Sequence, residues 1–211
     1  MNEMLEKIYQ AVIAGDMGST QTEIKAAIDA GTTGGDILNI ALIPAMREVG
    51  RLFEEAECFV PEMLVAARAM KAGLGIIKPL LVRSGINPVG RVAIGTVRGD
   101  LHDIGKNLVA MMLEGAGFEI VDLGTDVPPE KFVEAAQSGV DLICISALLT
   151  TTMLNMEGVI REIETAGTRA QVKIMVGGAP VTSEFAARIG ADGFASDASQ
   201  AVTLAKALLA S

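Results

Sequence analysis

Along the first 85 residues apolar positions recur three and four apart, and from Arg91 they bunch into short consecutive runs, so the chain changes its pattern once. Ile8, Val12 and Ile13 form one stripe of a first helix that stops at Gly15-Asp16. Thr20-Gln21-Thr22-Glu23 has capping-box spacing and predicts the start of a second helix, carrying Ile24, Ala27 and Ile28 and ended by Gly31. A third helix is expected from about Asp36 to Glu55 and a fourth from Pro61 to Arg83, with Pro61 suited to a first helical position. Pro44 and Pro79 fall inside those spans and predict a kink or break at each. Short loops and apolar stripes predict a four-helix bundle over 1–85, and Ser84-Gly85-Ile86-Asn87-Pro88 reads as a linker, giving a linker segment of 86–90.

Beyond it, β-rich runs alternate with helical ones: Arg91–Val97, Glu119–Leu123, Val140–Ser146, Val172–Val176 and Gly193–Ala195, with helices near 104–116, 129–138, 152–166, 182–189 and 198–210. Repeated βα units predict an α/β domain over 91–211, a doubly wound five-stranded parallel sheet with right-handed crossovers. In the flavodoxin-like order 2-1-3-4-5 the chain reverses between strands 1 and 3, and ligands bind at their carboxyl ends. Those ends are Val97–Gly105 and Ser146–Thr152, and the neighbouring strand 4 ends at Gly177-Gly178, where a large ligand could approach the backbone.

Composition narrows the function. Hydrophobic residues are 50% and charged residues 20%, enough for a packed core. The formal net charge of −9 excludes the basic footprint of a nucleic-acid binder. Aromatics are 3%, without Trp, so base stacking is poorly served. Cys58 and Cys144 form no metal-type pair and no disulfide framework. No apolar run reaches about 18 residues and the N-terminus lacks a signal-peptide pattern, so no membrane association and a cytoplasmic location are expected.

The single histidine, His102, stands in Asp100-Leu101-His102-Asp103-Ile104-Gly105, directly after the first strand. Imidazole is a common metal ligand and needs an acceptor on its other nitrogen, which Asp100, two residues earlier in an extended loop, can supply. One histidine cannot complete a site of about four ligands. A macrocycle that brings its own equatorial ligands would leave the protein one axial position to fill. Against this stand plainer readings. A loop histidine is commonly a surface hydrogen-bonding residue, Gly-Gly commonly a turn, and Phe53, Val60 and Met63 at helical spacing commonly bundle core.

Taken together, these residues resemble the cobalamin-binding corrinoid proteins of methyltransferase systems, which are similar to the cobalamin module of methionine synthase. The resemblance covers nearly the whole chain. It rests on the DxHxxG motif (Asp100, His102, Gly105), on SxL (Ser146-Ala147-Leu148), on Gly177-Gly178, and on the helical segments Pro44–Phe53 and Phe59–Leu64. It implies that cobalamin binds with its own base displaced, His102 becoming the lower axial cobalt ligand in a relay with Asp100 and Thr152. Asp103, Gly105, Ser146, Leu148, Thr150, Gly177 and Gly178 would contact the cofactor, the last two and the SxL segment lining a slot for its nucleotide tail. The helical half would be a cap, with Phe53, Val60 and Met63 toward the methyl-bearing face; Val60 replaces a more familiar leucine and would shield less tightly.

The implied function is methyl carriage between a substrate-specific corrinoid methyltransferase and an acceptor methyltransferase linked to tetrahydrofolate or coenzyme M, with a reductive activase restoring the cofactor. Because a cap blocks both transfers, the two halves would have to separate about Ser84–Val89. The alternative is a cobalamin-dependent sensor or light-responsive regulator on the same modules; the acidic charge and the absence of Trp count against it. A mutase subunit would normally bring a barrel and would lack the shielding cap.

Overall fold

The computed structural model describes residues 2–85 and 87–210. Two compact units can be separated, one holding the chain up to Pro88 together with Glu114–Gly117, the other Val89–Leu113 and Phe118 onward. Ile86, inside the expected linker, lies outside the described residues.

In the first unit, α1 (Glu3–Ile13) is capped by Asn2, whose side chain accepts from the Leu5 amide at 2.9 Å. The cap of α2 (Met17–Asp29) is Asp16, accepting from the Ser19 amide at 2.9 Å. The expected capping box at Thr20 is therefore not used. Asp16 captures the free amides a turn earlier, and Thr20 sits fully buried inside the helix, donating to the Asp16 carbonyl at 2.7 Å. At the other end Gly31 closes α2 as expected: its amide donates to Ile28 and that of Thr32 to Ala27, the paired bonds of a Schellman motif.

The third helix is composite: α3 (Gly34–Asp36), a π-helical stretch (Ile37–Leu42) and α4 (Ile43–Glu54). Pro44 has no N–H to offer Ile40, and the Ile43 amide reaches back five residues to the Leu38 carbonyl. The expected kink thus takes the form of a widened turn just ahead of the proline. Helix α5 (Val60–Arg83) passes through Pro79 without ending, so of the kink or break expected there the break is absent. Met63, Met70 and Ile77, seven residues apart and each essentially fully buried, hold one stripe of α5 in the core, and this burial outweighs the lost hydrogen bond.

The second unit is a five-stranded parallel sheet in the order β2-β1-β3-β4-β5, from β1 (Arg91–Val97), β2 (Glu119–Val127), β3 (Leu142–Ser146), β4 (Lys173–Gly177) and β5 (Gly193–Ala195). The crossovers carry α6 (Ile104–Gly115), α7 (Pro129–Gln137), α8 (Asn155–Thr165) and α9 (Ser183–Arg188), and α10 (Ala198–Ala210) follows β5. Strand β1 is buried along six of its seven residues, as a central parallel strand requires. Phe132 of α7 is fully buried among Ile143, Ile145 and Ile174, and a side chain of that size stabilises by roughly 2–3 kcal/mol when removed from water.

Strand β2 runs four residues beyond the expected Leu123 because its pairing with β1 slips twice. Ile94 pairs with Asp122, Gly95 with Gly124, and Val97 with Val127. Gly124 and Asp126 take positive φ (88° and 52°) to absorb the extra residues. Gly124, Thr125 and Asp126, beyond the expected end of the strand, stay in the sheet through this pairing with β1.

Candidate functional site

The site is built at the carboxyl edge of β1, β3 and β4, where the strand order reverses. After Val97 the chain turns through Gly99 (φ 81°), and the Asp100 amide donates to the Val97 carbonyl at 3.1 Å, which folds the Asp100 side chain back over the sheet edge. Asp100 is 1% exposed. Its Oδ1 accepts from the His102 amide at 3.1 Å and pairs with His102 Nδ1 at 2.7 Å. Its Oδ2 accepts from the Leu148 amide at 2.8 Å and from Thr152 Oγ1 at 2.6 Å.

Burial would raise this carboxyl, but the hydrogen bonds from Thr152, the Leu148 amide and His102 outweigh it and hold the group well below the usual carboxylate range. An ionised carboxylate only accepts, so the proton shared with the ring resides on Nδ1. In the neutral ring the lone pair then lies on the other nitrogen, Nε2, of a side chain that is 52% exposed.

The surrounding loops hold this arrangement from several sides. Thr96 Oγ1 donates to the His102 carbonyl at 2.9 Å, and Asn155 Nδ2 to the Arg98 carbonyl at 2.8 Å. Asp103 accepts from Asn107 Nδ2 at 3.0 Å across the first turn of α6, and Gly105 in that turn faces open space. Lys106, 3% exposed, reaches Asp122 on β2 at 2.6 Å and Asn107 at 2.7 Å.

Ser146 ends β3 with Thr96 and Gly177 as its register partners. Gly178 has φ 131°, and a Cβ there would stand 1.8 Å from the Ala147 carbonyl oxygen. That glycine is required by the close approach of the β3 and β4 ends themselves. Thr150 is exposed in the turn after β3.

The structure thus joins Asp100, His102, Leu148 and Thr152 in one hydrogen-bonded group, with Ser146 and Gly177 in register beside it. Phe53, Val60 and Met63 belong to the helical unit. There Phe53 and Val60 are half-buried and Met63 is fully buried.

Sequence reasoning missed the exposed apolar residues of these loops: Leu101 (73%), Ile104 (74%), Leu149 (43%) and Leu154 (56%), beside Leu148 at 42%. Their signal was available, since loops at a strand end are ordinarily polar and these are leucine-rich. Among the described residues no cluster of three or more His, Cys, Asp or Glu could hold a metal ion, so a metal here would have to bring most of its own ligands.

Comparison with known proteins identifies the family. The family described as "B12 binding domain" matches residues 90–203, and a second of the same description matches 4–78. The chain is 41% identical to trimethylamine corrinoid protein 1 of Methanosarcina mazei over 98% of its length and 97% of that protein's. It is 42% identical to dimethylamine corrinoid protein 1 of Methanosarcina acetivorans, over 99% and 98%. Among solved structures, a cobalamin-binding protein from Desulfitobacterium hafniense superposes with a TM-score of 0.78 at 28% identity, covering 97% of this chain and 98% of that one. A chain of the methanol:cobalamin methyltransferase complex from Methanosarcina barkeri superposes at 0.85 and 30% identity, covering 99% of this chain and 80% of that one.

A helical region ahead of a doubly wound parallel sheet, each matched by a B12-binding family, makes this a cobalamin-binding protein. Within that class the chain belongs to the corrinoid proteins of methyltransferase systems, and its cofactor is cobalamin. The residues present fit that group. The half-exposed imidazole has Nδ1 already paired with Asp100, exposed apolar residues stand in the same loops, and the first turn of α6 leaves room at Gly105.

Proposed function

We propose that the protein is a methyl carrier in which His102 Nε2 is the lower axial ligand of cobalt. The observation that carries this reading is the 2.7 Å pairing of His102 Nδ1 with a buried, four-fold hydrogen-bonded Asp100, which in the neutral ring leaves the lone pair on Nε2. Bound cobalamin supplies a cobalt centre able to accept and release a methyl group. The chain's own residues orient and regulate. Asp100 fixes the ring's tautomer, and Thr152 fixes Asp100. A proton taken up at Nε2 would place a positive ring beside Asp100, which would offset that charge.

Ser146, Leu148, Thr150, Gly177 and Gly178 border the edge assigned to the nucleotide tail, and Asp103 and Gly105 the start of α6. Phe53, Val60 and Met63 are assigned to shielding of the methyl-bearing face. As partners we propose a substrate-specific corrinoid methyltransferase, an acceptor methyltransferase using tetrahydrofolate or coenzyme M, and a reductive activase. The corrinoid proteins named for trimethylamine and dimethylamine, and the methanol:cobalamin methyltransferase complex, support partners of this kind.

The test is His102→Ala reconstituted with cobalamin and reduced to cobalt(II). Cobalamin binding is expected to persist, while the nitrogen coupling of a histidine ligand disappears from the electron spin resonance spectrum. An unchanged spectrum would remove His102 as the ligand.

A further inference from the structure

We infer that Asp126, outside every motif noted in the sequence, is a positioning residue for His102, a role that rests on the reading of His102 as the cobalt ligand. Asp126 lies near the end of β2, where the pairing with β1 slips for the second time, between Gly95 and Val97. It holds φ 52°, one of two non-glycine residues described with positive φ, and that conformation is costly for a residue with a Cβ. The slip directs both polar ends of Asp126 at the histidine loop. Its Oδ1 accepts from the Gly99 amide at 2.7 Å, and its own amide donates to the Asp100 carbonyl at 2.9 Å.

These two bonds bracket Asp100. The buried carboxylate orients the ring through Nδ1, but its own height above the sheet depends on the backbone on either side of it. Thr96 and Asn155 hold that loop at His102 and Arg98, and Asp126 holds it in between. Gly99, with φ 81°, is the most permissive residue of the loop, and its amide is the one the Asp126 side chain restrains. Axial ligation requires Nε2 at one height. A loop that samples several heights lowers the apparent affinity of the histidine by the fraction of time spent elsewhere.

The experiment compares full-length wild type, Asp126→Asn and Asp126→Gly. Asparagine tolerates positive φ and retains an acceptor at Oδ1; glycine accepts the backbone conformation without strain but removes the acceptor, keeping the main-chain bond to Asp100. In the cofactor-free protein, exchange of the Gly99 amide is expected to quicken in Asp126→Gly and to stay slow in Asp126→Asn. With cobalt(II) cobalamin bound, wild type and Asp126→Asn should show the histidine nitrogen coupling. In Asp126→Gly the ratio of ligated to unligated histidine should fall about fivefold, the factor one net hydrogen bond carries.

Wild-type ligation in Asp126→Gly, or a loss in Asp126→Asn equal to that in Asp126→Gly, overturns the role of Asp126 and leaves His102 as ligand. Absence of nitrogen coupling in wild type overturns both.

Discussion

At the scale of single residues the site is governed by one carboxylate with no spare acceptor capacity. Asp100 receives two amides, a hydroxyl and a ring N–H while 1% exposed, so removal of any donor leaves a buried lone pair unsatisfied. Thr152→Val keeps the shape and removes the hydroxyl. It should destabilise the cofactor-free protein by about 1–3 kcal/mol, read from the shift of the urea midpoint. Gly178 faces a steric limit instead: Gly178→Ala would put a Cβ 1.8 Å from the Ala147 oxygen at φ 131°. A loss of at least about 2 kcal/mol in the same measurement is expected, from strain and overpacking together.

At the scale of elements, the double slip of β2 places functional groups as well as closing the sheet. Asp122 at the first slip anchors Lys106 of α6, and Asp126 at the second anchors the loop before α6. The Lys106–Asp122 pair is asymmetric: the lysine side chain is 2% exposed and the aspartate 49%. Removing the aspartate strands a buried ammonium, whereas removing the lysine frees a carboxylate that water already reaches. Asp122→Ala is therefore expected to cost more than Lys106→Met, by about 1–2 kcal/mol after allowance for the solvent around Asp122. Equal midpoints for the two variants would contradict this ordering. In the helical unit the π-helical stretch ahead of Pro44 shows the same economy, a local irregularity that keeps Leu38, Ala41 and Leu42 buried while the ladder adapts to a missing N–H.

At the scale of the whole molecule the properties follow from charge and from the cofactor. A net charge of −9 sets an acidic field, favouring basic surfaces on whatever docks with the chain. No helix among the described residues is long and apolar enough to cross a membrane. Cobalamin binds the folded state, so it must stabilise that state. At free cobalamin a hundred times its Kd the gain should be about 2.7 kcal/mol, visible by calorimetry as a midpoint that climbs with ligand concentration. His102→Ala should retain most of that rise if the nucleotide slot carries the larger share of binding. A midpoint indifferent to cobalamin in wild type would show that the folded state described here does not bind it.

What the sequence determined by itself was whatever depends on short-range pattern. The period change near residue 85 and the five parallel strands follow from periodicity, and the flavodoxin-like order 2-1-3-4-5 expected for such repeated βα units brings Asp100–Gly105, Ser146–Thr152 and Gly177-Gly178 to one sheet edge. The relay of His102, Asp100 and Thr152 came from motif resemblance, and its geometry is three side chains within hydrogen-bonding distance. Tertiary structure decided what depends on competition between neighbours. Asp16 displaced Thr20 as a cap because it met the free amides first, and the buried stripe of α5 carried the helix through Pro79. Leu148 gave its amide to Asp100 across 48 residues of chain, and Asp126, beyond the expected end of its strand, clamps the histidine loop. Such contacts join residues remote in sequence through backbone groups, which every residue carries alike, so no side-chain pattern announces them.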